Sequence, residues 1–121
     1  MNILLDTHTI IWYFEDSHKL PKNTREIIEN SENSKFICSV SLFEITIKMG
    51  LGKLNLSFAH DELIATVNKS NYGILQVENK YLSVYYTLPM IHKDPFDRLL
   101  ISTALSENLT IITVSRDTLI V

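Results

Sequence analysis

The chain is poor in the features that mark several large classes of protein. Its single cysteine, Cys38, cannot form an internal disulfide, and its apolar neighbours predict a buried, reduced thiol. No apolar run approaches the roughly 18 to 20 residues that cross a bilayer. The first residues also lack the basic segment of a signal peptide. These absences lead us to expect a cytoplasmic protein with no membrane association.

The chain also lacks a strong excess of positive or negative charge. Eleven Lys and Arg residues against 14 Asp and Glu residues give a formal net charge of −3. An acidic protein can still bind nucleic acid where lysines line one face, or where a divalent cation bridges carboxylate and phosphate. The net charge therefore leaves the ligand open. With 121 residues, we expect one domain that spans residues 1–121.

Motifs of nucleophilic and nucleotide-binding enzymes are absent as well. The sequence has no G-x-S-x-G elbow, no P-loop and no G-x-G-x-x-G turn. Its four histidines lack paired ligand spacing, which disfavours a zinc site. A metal-dependent phosphatase would need a D-x-D pair, whereas Asp6 is followed by Thr7 and His8. This alternative therefore ranks last.

Short apolar runs alternate with segments of helical spacing along the whole chain. The runs predict strands over 2–5, 36–40, 72–77 and 110–114. Helices are predicted up to residue 14 and over 24–30, 41–49, 61–69, 79–87 and 96–108. This alternation is typical of βαβ units. We expect an α/β fold, a three-layer α/β/α sandwich with a central parallel sheet of four to five strands.

Acidic residues follow the predicted strands. Asp6 ends the first strand, and Glu44 lies in the first turn of the helix predicted after the second. Asp97 lies in the first turn of the last helix, and Asp117 follows the last strand. In a parallel sheet these positions share one edge, beyond the carboxyl ends of the strands. The sequence therefore predicts a cluster of carboxylates at that edge.

Each acid also has a purely structural explanation. Asp6 and Asp94 suit helix N-caps, with Pro95 as the first helical residue and Asp97 at the third position. Ser41 and Glu44 fit a capping box. Four carboxylates at one edge would nevertheless repel one another unless a positive group offset them. Oxygen ligands of this kind suit Mg²⁺ or Mn²⁺.

Four segments together resemble the PIN-domain family, and more narrowly its VapC-type toxins. They are Leu4-Leu5-Asp6-Thr7-His8, Ser41-Leu42-Phe43-Glu44-Ile45, the run from His92 to Ile101 that contains D-P-F-D-R-L-L-I, and Ile111-Ile112-Thr113. The resemblance implies an endoribonuclease that binds Mg²⁺ or Mn²⁺ through Asp6, Glu44 and Asp97. It also implies a cognate antitoxin whose tail blocks the site, and a homodimer.

Further roles follow from this resemblance and from ligand chemistry. Asp6 and Asp97 would be the principal ligands, with Glu44 as a ligand or as the group that orients water. Neighbouring positions are candidates for hydrogen bonds to the ligands or for substrate contacts, with Lys48 and Arg98 as phosphate contacts: Thr113, Ser115, Asp94, Arg98 and Lys48. Single-stranded or loop RNA is the expected substrate, because side chains reach unstacked bases more readily.

The end of the chain departs from the family pattern. The family usually has T-x-D in its last motif, whereas Thr113 is followed two residues later by Ser115, and the nearest acid is Asp117. Either Asp117 reaches the site or Ser115 takes that place and weakens metal binding. The chain also stops where relatives continue, so we expect a domain truncated at its C-terminus. The alternative function is a catalytically weak module that binds an antitoxin or nucleic acid.

Overall fold

A computed structural model describes residues 1–89 and 94–114. The strands are β1 (Asn2–Leu5), β2 (Ser34–Cys38), β3 (Gly73–Leu75) and β4 (Thr110–Ile112). The helices are α1 (Thr7–Phe14), α2 (Lys22–Glu29), α3 (Ser39–Gly50), α4 (His60–Lys69), α5 (Asn79–Thr87) and α6 (Pro95–Glu107). Ser115 and Asp117, two of the predicted site residues, lie outside the described part of the chain.

The four strands form one parallel sheet in the order β3-β2-β1-β4. The central strand β1 pairs with β2 on one side and β4 on the other, and Leu4 lies opposite Phe36 and Ile111. Ile3, Leu4 and Leu5 are fully buried. An unbroken apolar run is the expected sequence of a strand covered on both faces. The predicted α/β/α architecture is confirmed.

Two hydrophobic cores cover the two faces of the sheet. Ile3 and Leu5 pack with residues of α1, α2 and α4, including Ile10, Ile28 and Leu63. Leu4 faces the opposite way and packs with Leu100, Ile101 and Ala104 of α6. Helix α3 contributes to both cores, through Ile45 to the first and Val40 to the second. This alternation of side chains along β1 creates the three layers.

The junction of β2 and α3 differs from the sequence-based prediction. The strand ends at Cys38 and the helix begins at Ser39, with no intervening loop. Val40, which was predicted to be in the strand because it is β-branched, is helical and packs against α6. Glu44 therefore lies in the second turn of α3. Its predicted first-turn position and the Ser41–Glu44 capping box are both wrong.

The start of α6 agrees with the prediction from sequence. The Asp94 carboxylate accepts hydrogen bonds from the backbone N–H groups of Phe96, at 2.8 Å, and Asp97, at 3.2 Å. Pro95 is the first helical residue, where its missing N–H costs nothing. This cap fixes the first turn of α6 and places Asp97 in it. No helix in the described residues is both long and apolar enough to span a bilayer.

Candidate active site

Asp6 lies directly after the central strand, and its side chain is only 3% exposed. Its Oδ1 accepts a hydrogen bond from the backbone N–H of Thr9, at 2.8 Å, so Asp6 is the N-cap of α1 as predicted. Its Oδ2 accepts a hydrogen bond from the hydroxyl of Thr113, just after β4. The carboxylate is thus oriented by groups from two different segments. Sequence analysis had singled out Thr113 but not Thr9.

Glu44 is also buried, with 6% of its surface exposed. Its Oε1 accepts a hydrogen bond from the Thr7 hydroxyl at 2.8 Å, and its Oε2 lies 2.8 Å from Nζ of Lys48. The hydroxyl of Ser41 lies 3.1 Å from that of Thr7. Thr7 was not predicted as a partner of Glu44, because the two residues are 37 positions apart in the chain. The position of Thr7 directly after Asp6 was the only signal.

Asp97 lies in the first turn of α6 and is partly buried. Burial raises the pKa of its carboxyl group, and the negative charges of Asp94, Glu44 and Asp6 raise the pKa further. The exposed His8 acts in the opposite direction. Charges influence a partly exposed carboxyl only at short range. Asp6, Glu44 and Asp97, from three separate segments, therefore lie in one neighbourhood, which we call the acidic edge together with Asp94.

The acidic edge has the donor chemistry of a hard divalent cation, because carboxylate and hydroxyl oxygens are its main polar groups. However, within residues 1–89 and 94–114 no three His, Cys, Asp or Glu side chains are close enough together to hold one ion. Both oxygens of Asp6 and both oxygens of Glu44 already accept hydrogen bonds from protein groups. The residues fit such a cation in kind, and cation binding would require some of these bonds to be exchanged.

Arg98 has a role other than the predicted phosphate contact. It is only 5% exposed, and its guanidinium donates hydrogen bonds to the backbone carbonyls of Pro89 at 2.9 Å and Tyr85 at 3.1 Å. The guanidinium also lies over the ring of Tyr85, 4.7 Å from its centre. Arg98 therefore ties the end of α5 to α6, and its contact with a phosphate group stays a prediction. Arg98 lies three residues before the apolar Ile101, a spacing that places both side chains on one face of the helix. This spacing could have indicated that Arg98 points inward.

Residues 3–119 match the sequence pattern of the PIN domain. The chain belongs to the PIN domain family. A comparison with curated protein sequences gives no match.

Solved structures with the same fold come from several bacteria. One is a chain of VapBC2 from Rickettsia felis, crystallised with a DNA fragment from the promoter, with 24% identity and a TM-score of 0.64 over 95% of this PIN domain and 88% of that chain. A chain of VapBC-1 from nontypeable Haemophilus influenzae has 21% identity and a TM-score of 0.67. The match covers 95% of this PIN domain and 87% of that chain. A chain of FitAcB from Neisseria gonorrhoeae has 19% identity and a TM-score of 0.62. The match covers 96% of this PIN domain and 89% of that chain.

An apolar groove borders the acidic edge of this PIN domain. Phe43 and Phe96 make an edge-to-face contact with ring centres 6.4 Å apart, and both line the groove together with Val77. Phe43 immediately precedes Glu44, and Phe96 immediately precedes Asp97. Phe43 remains 59% exposed. The acids thus lie beside an apolar surface that is open to solvent.

Proposed function

We propose that this PIN domain is a divalent-metal-dependent endoribonuclease and the toxin of a toxin–antitoxin pair. The observation that carries the proposal is that acids from three segments lie near one another, so that the charges of Glu44 and Asp6 raise the pKa of Asp97. The similarity to chains of VapBC and FitAcB supports the toxin assignment. Groups that cost stability when they lie together are often retained for a functional reason.

In this proposal, Asp6 and Asp97 hold Mg²⁺ or Mn²⁺, and Glu44 either binds the ion or orients water. The bound ion would lower the pKa of a water molecule, so that hydroxide forms near neutral pH, and would stabilise negative charge on the phosphodiester. Thr113 holds one oxygen of Asp6 in place, and Thr7 does the same for Glu44. Asp94 positions Asp97 through the helix cap. We propose Asp117 as a further ligand, with Ser115 as the alternative.

Single-stranded or loop RNA is the proposed substrate. A side-chain cluster at a sheet edge reaches unstacked nucleotides more easily than bases inside a duplex. The exposed ring of Phe43 beside the acids is a surface on which a base could stack. We propose Lys48, whose side chain is 39% exposed, as a contact for a phosphate group.

The proposed partners are an antitoxin and a second copy of the chain, in the cytoplasm. Helix α3 and its C-cap residue expose three apolar side chains at intervals of four residues: Phe43 (59%), Ile47 (36%) and Leu51 (64%). A contiguous apolar stripe of this kind supports a subunit interface. Size-exclusion chromatography with light scattering distinguishes a monomer from the proposed dimer. A neighbouring small reading frame whose product copurifies with this chain would support the antitoxin.

Cleavage of a single-stranded RNA with and without Mn²⁺ tests the enzymatic proposal. We expect Mn²⁺-dependent cleavage that falls by more than about 100-fold in Asp6→Asn and in Asp97→Asn. Asn caps a helix about as well as Asp, so Asp6→Asn should remain folded. The matched control is Asp61→Asn on the exposed start of α4, which should retain full activity. Full activity in Asp6→Asn would reject the assignment.

A second candidate function is binding without efficient catalysis. It is favoured by one observation, that the described residues contain no ready group of three metal ligands. The same assay separates the two candidates. Protein that binds RNA but shows no Mn²⁺-dependent turnover would support the binding module.

A further inference from the structure

Lys48 and Glu44 form an ion pair along α3, beside the other acids of the acidic edge. Nζ of Lys48 lies 2.8 Å from Oε2 of Glu44, four residues earlier on α3. The Glu44 side chain is 8% exposed, whereas that of Lys48 is 39% exposed. Glutamate preceding lysine by four residues is the favourable order on a helix. One partner is thus buried and fixed, while the other reaches it from the solvent side.

Lys48 compensates part of the negative charge of the acidic edge, because it pairs with Glu44. The negative charges of Glu44, Asp6 and Asp94 all raise the pKa of Asp97, so Glu44 belongs to the group of acids around Asp97. Among residues 1–89 and 94–114, the only ion pair made by any of these four acids is the one with Lys48. A buried carboxylate without a positive partner is costly. Lys48 therefore supplies part of the charge that a divalent cation would otherwise provide.

The two oxygens of Glu44 differ in how firmly they are occupied. Oε1 accepts from Thr7, which is 3% exposed and fixed at the start of α1. Oε2 is held by an ammonium group on a flexible chain of four carbons that can move into solvent. If one bond is exchanged for a metal ligand, it is the bond to Lys48.

We propose that Lys48 occupies Oε2 of Glu44 in the metal-free protein and releases it when a divalent cation binds, so that lysine and cation compete for this oxygen. The inference rests on the proposed function, since it assumes that the acidic edge binds a cation. Thr7 keeps Glu44 oriented during the exchange. Lys48 is accordingly a positioning residue, and its ammonium group is freed toward solvent beside the acids.

Mn²⁺ affinity, measured by isothermal titration calorimetry, tests this competition without any need for catalysis. Removing a partly exposed ion pair changes an equilibrium constant by roughly two- to five-fold. We therefore expect Lys48→Met to bind Mn²⁺ about two- to five-fold more tightly than the wild type. Lys48→Arg retains a cation within reach of Glu44 and should not show the gain.

The matched control is Lys53→Met, which removes the same charge from an exposed position just beyond α3. This variant measures how much the loss of any one positive charge raises the affinity for Mn²⁺. We expect Lys48→Met to raise the affinity by more than Lys53→Met does. In a Glu44→Gln background, Lys48→Met should give no further gain, because the pair is already broken. Gln can still accept the bond from Thr7, and thermal melting confirms that each variant is folded.

The possible failures are distinguishable. Equal Mn²⁺ affinity in the wild type, Lys48→Met and Lys53→Met would overturn the competition while leaving the metal site intact. A gain that persists in the Glu44→Gln background would overturn it as well, because the effect would not act through Glu44. Absence of Mn²⁺ binding in the wild type, together with absence of RNA cleavage, would reject the proposed function and this inference with it.

Discussion

The pKa of Asp97 reflects the negative charge of the other acids in the acidic edge. Burial and three neighbouring carboxylates raise its pKa, so the folded protein holds this proton more tightly than the unfolded chain does. The stabilising contribution of Asp97 is therefore fully present below the ordinary pKa of the group and is lost as the pH rises through the raised value. A metal ion requires the deprotonated form, so acid weakens metal binding at a higher pH than for an ordinary aspartate.

We predict that Asp94→Asn lowers the pKa of Asp97. Asp94 is the largest charged contributor to the shift after burial, and Asn preserves the helix cap. Carboxyl carbon chemical shifts followed by NMR against pH measure the change, with Asp61→Asn as a control that should leave it unmoved. A pKa for Asp97 at or below its ordinary value in the wild type would contradict the account.

Arg98 joins the end of α5 to α6 through hydrogen bonds to backbone carbonyls, so we predict that Arg98→Lys destabilises the protein. Lysine lacks the planar fork of donors with which the guanidinium reaches the carbonyls of Tyr85, Leu88 and Pro89, so carbonyl groups lose their present donor. The expected loss is about 1–3 kcal/mol, read from the urea midpoint at constant slope. Arg25→Lys is the control, because Arg25 pairs with the 86%-exposed Asp16 and should change stability less. Equal effects of the two substitutions would contradict this role.

At the scale of secondary-structure elements, the site depends on the contact between α1 and α3. Thr7 is the first residue of α1, and it reaches Ser41 and Glu44 on α3. The immediate passage from β2 into α3 moves Glu44 into the second turn. There its carboxylate meets the start of α1. The interface of two helices thus orients one of the proposed ligands.

We predict that Thr7→Val destabilises the protein by about 1–2 kcal/mol and lowers RNA cleavage. Valine has nearly the same shape as threonine but cannot donate to Glu44, so a buried carboxylate oxygen loses its partner. Thr7→Ser keeps the hydroxyl and should keep most of the activity. Urea unfolding and the Mn²⁺-dependent cleavage assay measure the two effects. Thr7→Val with wild-type stability and activity would show that the bond is dispensable.

For the whole molecule, the sheet was predictable because its strands are short and buried on both faces. The apolar run at residues 2–5 suits a strand buried on both faces, and Asp94-Pro95 predicts the start of α6; the structure has both. The start of α3 was predicted too late, because the apolar, β-branched Val40 is typical of a strand although it lies in the helix. The bond of Thr7 to Glu44 and the inward position of Arg98 depend on packing between distant segments. Local spacing carries little information about such contacts.

The convergence of Asp6, Glu44 and Asp97 on one cation is the central claim, and one NMR experiment tests it directly. Mn²⁺ added below one equivalent broadens the amide signals of residues close to its site, whatever the catalytic activity. We predict that residues 6, 44 and 97 broaden together and first, while those around Asp61 on α4 stay sharp. Broadening that begins at separate acids across the surface, or at one helix end without the other two, would contradict the account.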